Sequence, residues 1–185
     1  MRYKKGNGME NGQNPMSREE MMKLMKMLES YGRMQPDRLN ARLGLTCVDF
    51  DPEKLDVTYL FRPAELFLNP YGEVHGGAAA SVFDTACGMG AVALTRTFPT
   101  TVNLNVTYHR PMKGEAFSVE VHYEHVGNRL VNATARIINP ERGKICSTCA
   151  ATYYRTGITP KEFEAVPFSG SAAAGTTEGR ESDRR

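Results

Sequence analysis

Tryptophan is absent from the 185 residues, and 23 Lys and Arg against 21 Asp and Glu leave a formal net charge of only +2. Without Trp, and with its basic residues scattered, the chain has no stripe on which bases could stack, so no nucleic-acid partner is expected. Cysteine is scarce too: Cys47, Cys87, Cys146 and Cys149 are too few for a disulfide scaffold in a chain this long. The opening MRYKKGNGMENGQN lacks the apolar core of a signal peptide, and the expected compartment is the cytoplasm. Only Gly76 to Leu94 approaches the length of a bilayer span. It carries Asp84 near its middle and four glycines, which fit a membrane core poorly. The expectation is a buried helix of a soluble domain with no membrane partner.

What is present reads as one domain, residues 15–156, between two low-complexity ends. Residues 1–14 are rich in Gly, Asn and Lys, and residues 157–185 in Gly, Ala, Ser, Thr and charge; both are expected to be disordered. Ser17-Arg-Glu-Glu20 has capping-box spacing and opens a helix over 17–31, with Met21, Leu24, Met25 and Leu28 on one face. So many methionines point to a packing face. Period-two runs follow at Leu43 to Phe50 and Leu55 to Phe61, then an irregular loop from Arg62 to Val74. After the Gly76 helix come four more strand-like runs, Thr101 to His109, Ala116 to Val126, Leu130 to Asn139 and Lys144 to Arg155, separated by turn chemistry. Four consecutive short-linked strands imply an antiparallel sheet. A helix apolar nearly all round needs cover on most sides. The expected fold is α+β, with a curved sheet wrapped around one long helix.

Two apparent metal signals are discounted. Cys146-Ser-Thr-Cys149 has CxxC spacing but lies in a strand-like run, where residues three apart point to opposite faces, so packing is the expected role. The same argument separates His122 from His125, and with His109 on another run no metal site is expected.

The informative segment is Asn69-Pro-Tyr-Gly72-Glu-Val-His75-Gly76-Gly77, followed on the helix by Asp84. Glycines at a helix start let a ligand approach closely, and the first helical N–H groups lack intrahelical partners at the positive end of the dipole. An oxygen gaining negative charge is stabilised there. A carboxylate on an apolar helix is costly unless it has partners, so Asp84 asks for an explanation and is the candidate base or nucleophile. Eight residues separate Gly76 from Asp84, about 12 Å of helical rise. A base should lie within direct or one-water reach of its carbonyl. The site should therefore join one subunit's helix head to another subunit's Asp84.

In this register, Asn69, Gly72, His75-Gly76-Gly77 and Asp84 resemble the active-site signature of the PaaI-type hotdog acyl-CoA thioesterases. The resemblance runs from about Leu43 to Arg155 and includes Thr101-Val-Asn-Leu-Asn-Val-Thr-Tyr after the helix. It implies a hotdog fold, a homodimer with shared sites that pairs again into a dimer of dimers, an acyl-CoA substrate, and no metal or redox cofactor. It also implies that Gly76 and Gly77 supply donors or access, that Asn69 serves the carbonyl or its loop, and that His75 orients this loop. Thr101, or Thr100 if the alignment slips by one, matches a hydroxyl that holds the attacking water. Arg110, Lys113 and Arg129, at strand ends or turns, are candidates for the phosphates of coenzyme A. The alternatives are a non-catalytic acyl-CoA-binding module and an enoyl-CoA hydratase; the latter's paired Asp and His in one short loop are not found.

Overall fold

Ser17 opens the first helix through the reciprocal bonds its spacing to Glu20 predicts. Its hydroxyl accepts from the Glu20 amide at 3.3 Å, and the Glu20 carboxylate accepts from the Ser17 amide at 2.8 Å. The computed structural model describes residues 16–159; the disorder expected for 1–14 and for the tail beyond 159 lies outside the described residues. Helix α1 (Arg18–Arg33) buries Met21, Leu24 and Met25 against the first strand and the long helix, so the methionine face is a packing face. A short helix α2 (Leu39–Arg42), which no periodicity announced, leads into β1 (Leu45–Asp51) and β2 (Asp56–Phe61). After a single 3-10 turn at Glu65–Phe67 come α3 (Gly76–Thr95), β3 (Pro99–Tyr108), β4 (Phe117–Val126), β5 (Leu130–Asn139) and β6 (Lys144–Arg155).

The six strands form one sheet in the order β1-β2-β4-β5-β6-β3, every pair antiparallel. Val57, Val121, Ala135, Cys149 and Val106 stand opposite one another in a row across five strands. Helix α3 touches β2, β3, β4, β5 and β6, and α1 covers part of its other side. That is the wrapping expected of a helix whose Val82, Phe83, Ala86, Cys87 and Ala91 are fully buried. The hotdog architecture read from the sequence is the one observed.

Three buried tyrosines tie the helix to the sheet. From β2, β4 and β6, the phenols of Tyr59, Tyr123 and Tyr153 donate to the α3 carbonyls of Ala86 (2.8 Å), Cys87 (2.5 Å) and Asp84 (3.0 Å). A buried phenol needs such a partner, and carbonyls on the sheet-facing side of the helix supply it. Gly90 makes room for one of them: a Cβ there would lie 2.2 Å from the Tyr123 oxygen. Gly90→Ala gains about 1 kcal/mol of helix propensity, but overpacking costs about 1–3 kcal/mol and a displaced buried hydroxyl about 1–3 more. The expected outcome is a net loss of about 1–5 kcal/mol, read as an earlier urea midpoint with an unchanged slope.

One expectation about faces needs correction. His122 and His125 do not point to opposite sides of the sheet; both are exposed, because a β-bulge between Tyr123 and His125 resets the alternation. They are still separately engaged, His122 with Asp56 at 2.6 Å and His125 beside Gly127.

Among the described residues, strand β3 pairs only with β6, which leaves its other edge open over ten residues, with Val102 and Tyr108 more than half exposed.

Candidate active site

The loop before α3 is built on Asn69. Its side-chain oxygen accepts from the amides of Tyr71 (2.9 Å) and Glu73 (3.1 Å), and Gly72 takes the left-handed φ of 73° that closes the turn. Asn69 thus shapes the turn through Oδ1. The side-chain amide makes no bond among the described residues and remains a donor. The loop is anchored at its exit, where the Val74 amide donates to Met112 and the His75 amide to Phe67.

His75 is the N-cap of α3. Its Nδ1 accepts from the Gly77 amide at 3.4 Å, so the ring is bonded to the helix head and not to Asn69. Among the described residues the Gly76 amide has no acceptor, as expected of a first-turn donor. The Gly76 carbonyl accepts from the Tyr108 hydroxyl at 2.7 Å, a contact that connects the helix head to the far end of β3.

Asp84 lies two turns further along. Its Oδ1 accepts from the Thr101 hydroxyl at 2.8 Å and sits 3.3 Å from the Tyr153 phenol, which also reaches the Asp84 backbone carbonyl. Of the two neighbouring threonines it is Thr101 that meets the carboxylate. Oδ2 has no hydrogen-bond partner among the described residues, and no cation there pairs with Asp84. Burial, then the neighbouring Cys87 and Asp84, pushes the Tyr153 phenol far above its ordinary pKa, so it stays a donor to the carboxylate. Thr101 and Tyr153 therefore fix one oxygen and leave the other open.

The Asp84 side chain borders space. A cavity of about 900 Å³ has Asp84 and Thr101 in its wall and runs along α3 past Thr85, Gly88, Met89 and Val92. Leu28 of α1 and Leu39 of α2 also line it. The wall is mixed: Met89, Val92 and Phe98 give it an apolar stretch, and Glu29, Arg33, Arg38 and Arg62 make part of it charged, so an apolar group can lie along α3 with a polar group beside it.

The remaining candidates divide. Arg110 and Lys113 stand at the helix-head end, where Arg110 donates to the Ile145 carbonyl at 2.8 Å and the Lys113 carbonyl accepts from Asn139. Arg129 stands at the helix-tail end, where its carbonyl holds the Arg155 amide and the Arg155 guanidinium reaches Thr95. One chain does not gather the three into a single cluster. All four thiols are free and buried. Cys146 meets the Lys144 carbonyl, whereas Cys149 lies against Cys87 of α3, so the CxxC pair has separate neighbours. Burial pushes the Cys47 thiol up to about 12.

Tyr108 and Tyr153 were not singled out from the sequence. The only signal was their place on strand-like runs, and each meets its partner across a long separation, 32 and 69 residues.

The sequence model of the Thioesterase superfamily matches residues 71–146, from the Asn69 loop to β6. Acyl-coenzyme A thioesterase 13 of Mus musculus is 29% identical over 128 residues, 68% of this chain and 85% of the mouse protein. The structure of Escherichia coli PaaI, from the phenylacetic acid degradation operon, superposes with a TM-score of 0.63 at 17% identity, covering 77% of this chain and 99% of PaaI. A Streptococcus mutans protein bound to acetyl CoA superposes with a TM-score of 0.56 at 19% identity, covering 63% and 91%. The two structural likenesses speak to the fold, and the sequence likeness reaches across the candidate site.

Proposed function

We propose that this chain, which is similar to the Thioesterase superfamily over residues 71–146, is a PaaI-type hotdog thioesterase that hydrolyses an acyl- or aryl-CoA thioester to the free acid and coenzyme A. The observation that carries the reading is the Asp84 carboxylate, held on Oδ1 by Thr101 at 2.8 Å and bordering a cavity of about 900 Å³. In this reading Oδ2 takes the proton of the attacking water, and the thioester carbonyl leans on the Gly76 amide with the free amide of Asn69 nearby. The water oxygen bonds to the carbonyl carbon, the oxyanion then collapses, the C–S bond breaks, and coenzyme A leaves as its thiolate, which takes up the proton that Asp84 releases. The apolar stretch of the cavity past Met89 and Val92 of α3 receives the acyl group, and it suits an aryl or medium-chain acyl. Arg110 and Lys113, at the helix-head end, are placed for the coenzyme's phosphates. Cytoplasmic residence and turnover without metal or redox cofactor belong to the same proposal.

The reading requires a second subunit, because Gly76 and Asp84 of one helix are about 12 Å apart by helical rise. Strand β3 supports one. Thr101, which holds Asp84, lies near one end of its open edge, and Tyr108, which holds the helix head, lies at the other. Two copies of β3 paired antiparallel bring the Thr101 end of one beside the Tyr108 end of its partner. Gly76 of one chain then faces the partner subunit's Asp84. A further pairing of such dimers is part of the proposal.

The test is release of thiol from a panel of aryl-, short-, medium- and long-chain acyl-CoAs, followed with a thiol-reactive dye. No release with any of them rejects the reading, and tight calorimetric binding without hydrolysis makes the chain a binding module. Sharing of sites is tested by mixing Asp84→Asn with Gly76→Pro subunits after dissociation. Each variant alone lacks one half of every site, but a mixed dimer regains one whole site. Random pairing is expected to restore roughly a quarter of wild-type activity; a mixture as inactive as its components places both halves in one chain.

A further inference from the structure

The Tyr108 phenol is more than half exposed, yet it commits its proton to the Gly76 carbonyl at 2.7 Å. Its ring also lies over Gly76, 3.4 Å from where a Cβ would stand. The Gly76 carbonyl and the Gly77 amide are two ends of one peptide group, and that amide donates to His75 Nδ1 at 3.4 Å. The three groups form a chain: phenol to carbonyl, through the peptide, amide to imidazole. Each bond polarises the next. Because Nδ1 is an acceptor here, the neutral imidazole carries its proton on Nε2, turned away from the helix.

We propose that Tyr108 is a positioning residue for the carbonyl-polarising head of α3, acting through the Gly76–Gly77 peptide to hold His75 as the Nε2–H tautomer. The proposal deepens the thioesterase reading and rests on it for its catalytic consequence. Tyr108 fixes the plane of the peptide that follows the unpartnered Gly76 amide, so that amide is aimed before substrate arrives. His75, which caps the helix, is not the base, since the ring nitrogen that could accept a proton is already bonded. A preorganised donor needs no reorientation as negative charge develops on the carbonyl oxygen.

Two measurements test this, one of them independent of turnover. Nitrogen-15 NMR of the wild-type protein without substrate is expected to show His75 protonated on Nε2; protonation on Nδ1 overturns the proposal. Tyr108→Phe keeps the ring over Gly76 and removes only the hydroxyl. It is expected to shift the Gly77 amide proton upfield and to lower kcat about three- to tenfold, the scale of one polarising hydrogen bond. KM should stay within about twofold, because the effect is on the transition state and not on uniform binding. A raised KM with unchanged kcat, or an unmoved Gly77 amide, overturns the positioning role. If the wild-type protein hydrolyses no CoA thioester, the thioesterase reading fails while the tautomer and the Gly77 shift still decide the hydrogen-bond chain.

Discussion

Asp84→Asn is expected to lower kcat at least about 100-fold, the scale of a lost general base, while the protein folds as before. The amide oxygen of asparagine can still accept from Thr101 and from Tyr153, the two groups that hold Oδ1 at 2.8 and 3.3 Å. The shape of the side chain is also unchanged, so the cavity wall beside it keeps its form. What disappears is the open carboxylate oxygen, and an amide cannot take a proton from water. No cation among the described residues pairs with Asp84, so removing its charge strands no buried partner. Thiol release and the thermal midpoint measured on the same preparation separate the two effects. A wild-type rate with a normal midpoint would move the chemistry to another residue.

Gly76→Pro is expected to cost about 100- to 1000-fold in kcat, the range seen when one oxyanion donor is deleted. Proline is an unusually clean substitution here. Gly76 is the first residue of α3, where the amide has no helical partner to lose and a φ near −65° is already required. The preceding residue, His75, stands at φ −61° and ψ 138°, the extended region that proline imposes on its predecessor. At its Cβ the new ring meets the Tyr108 side chain at 3.4–3.6 Å, an ordinary van der Waals contact. The change therefore deletes one N–H with little else, and stability should hold. Unaltered turnover by this variant would show that the carbonyl is polarised elsewhere.

The elements legible from sequence were those whose determinants are local. The capping box at Ser17 and Glu20, the apolar run of α3 and the alternation of Val57, Tyr59 and Phe61 each predict a structure that forms within a few residues. The candidate-site motif was readable for the same reason, since Asn69, Gly72, His75 and Gly76 serve one turn and one helix end. Asp84 stood out only as a charge on an apolar helix. What stayed hidden depends on register between distant segments. Whether Thr100 or Thr101 reaches Asp84 is decided by how β3 lies against α3, which no local pattern encodes. The bulge that exposes both His122 and His125 adds one residue to β4 without any glycine or proline to announce it. Helix α2 is four residues long with no side-chain cap, too short to show a period. Arg129 read as a companion of Arg110 because both flank turns; the strand directions place them at opposite ends of α3.

Tyr59, Tyr123 and Tyr153 reach α3 from three different strands at neighbouring carbonyls. A rod clamped from three directions can neither roll nor slide, since any screw motion that eases one clamp strains another. The acid is thereby held by the scaffold beneath it and does not depend on whatever fills the chamber. The shape of the chamber can then be set separately through the wall supplied by α1 and α2, where half-exposed Leu39 can change size at little cost to the core. Under the proposed thioesterase function, such a division separates what grips the acid from what gives the chamber its contour.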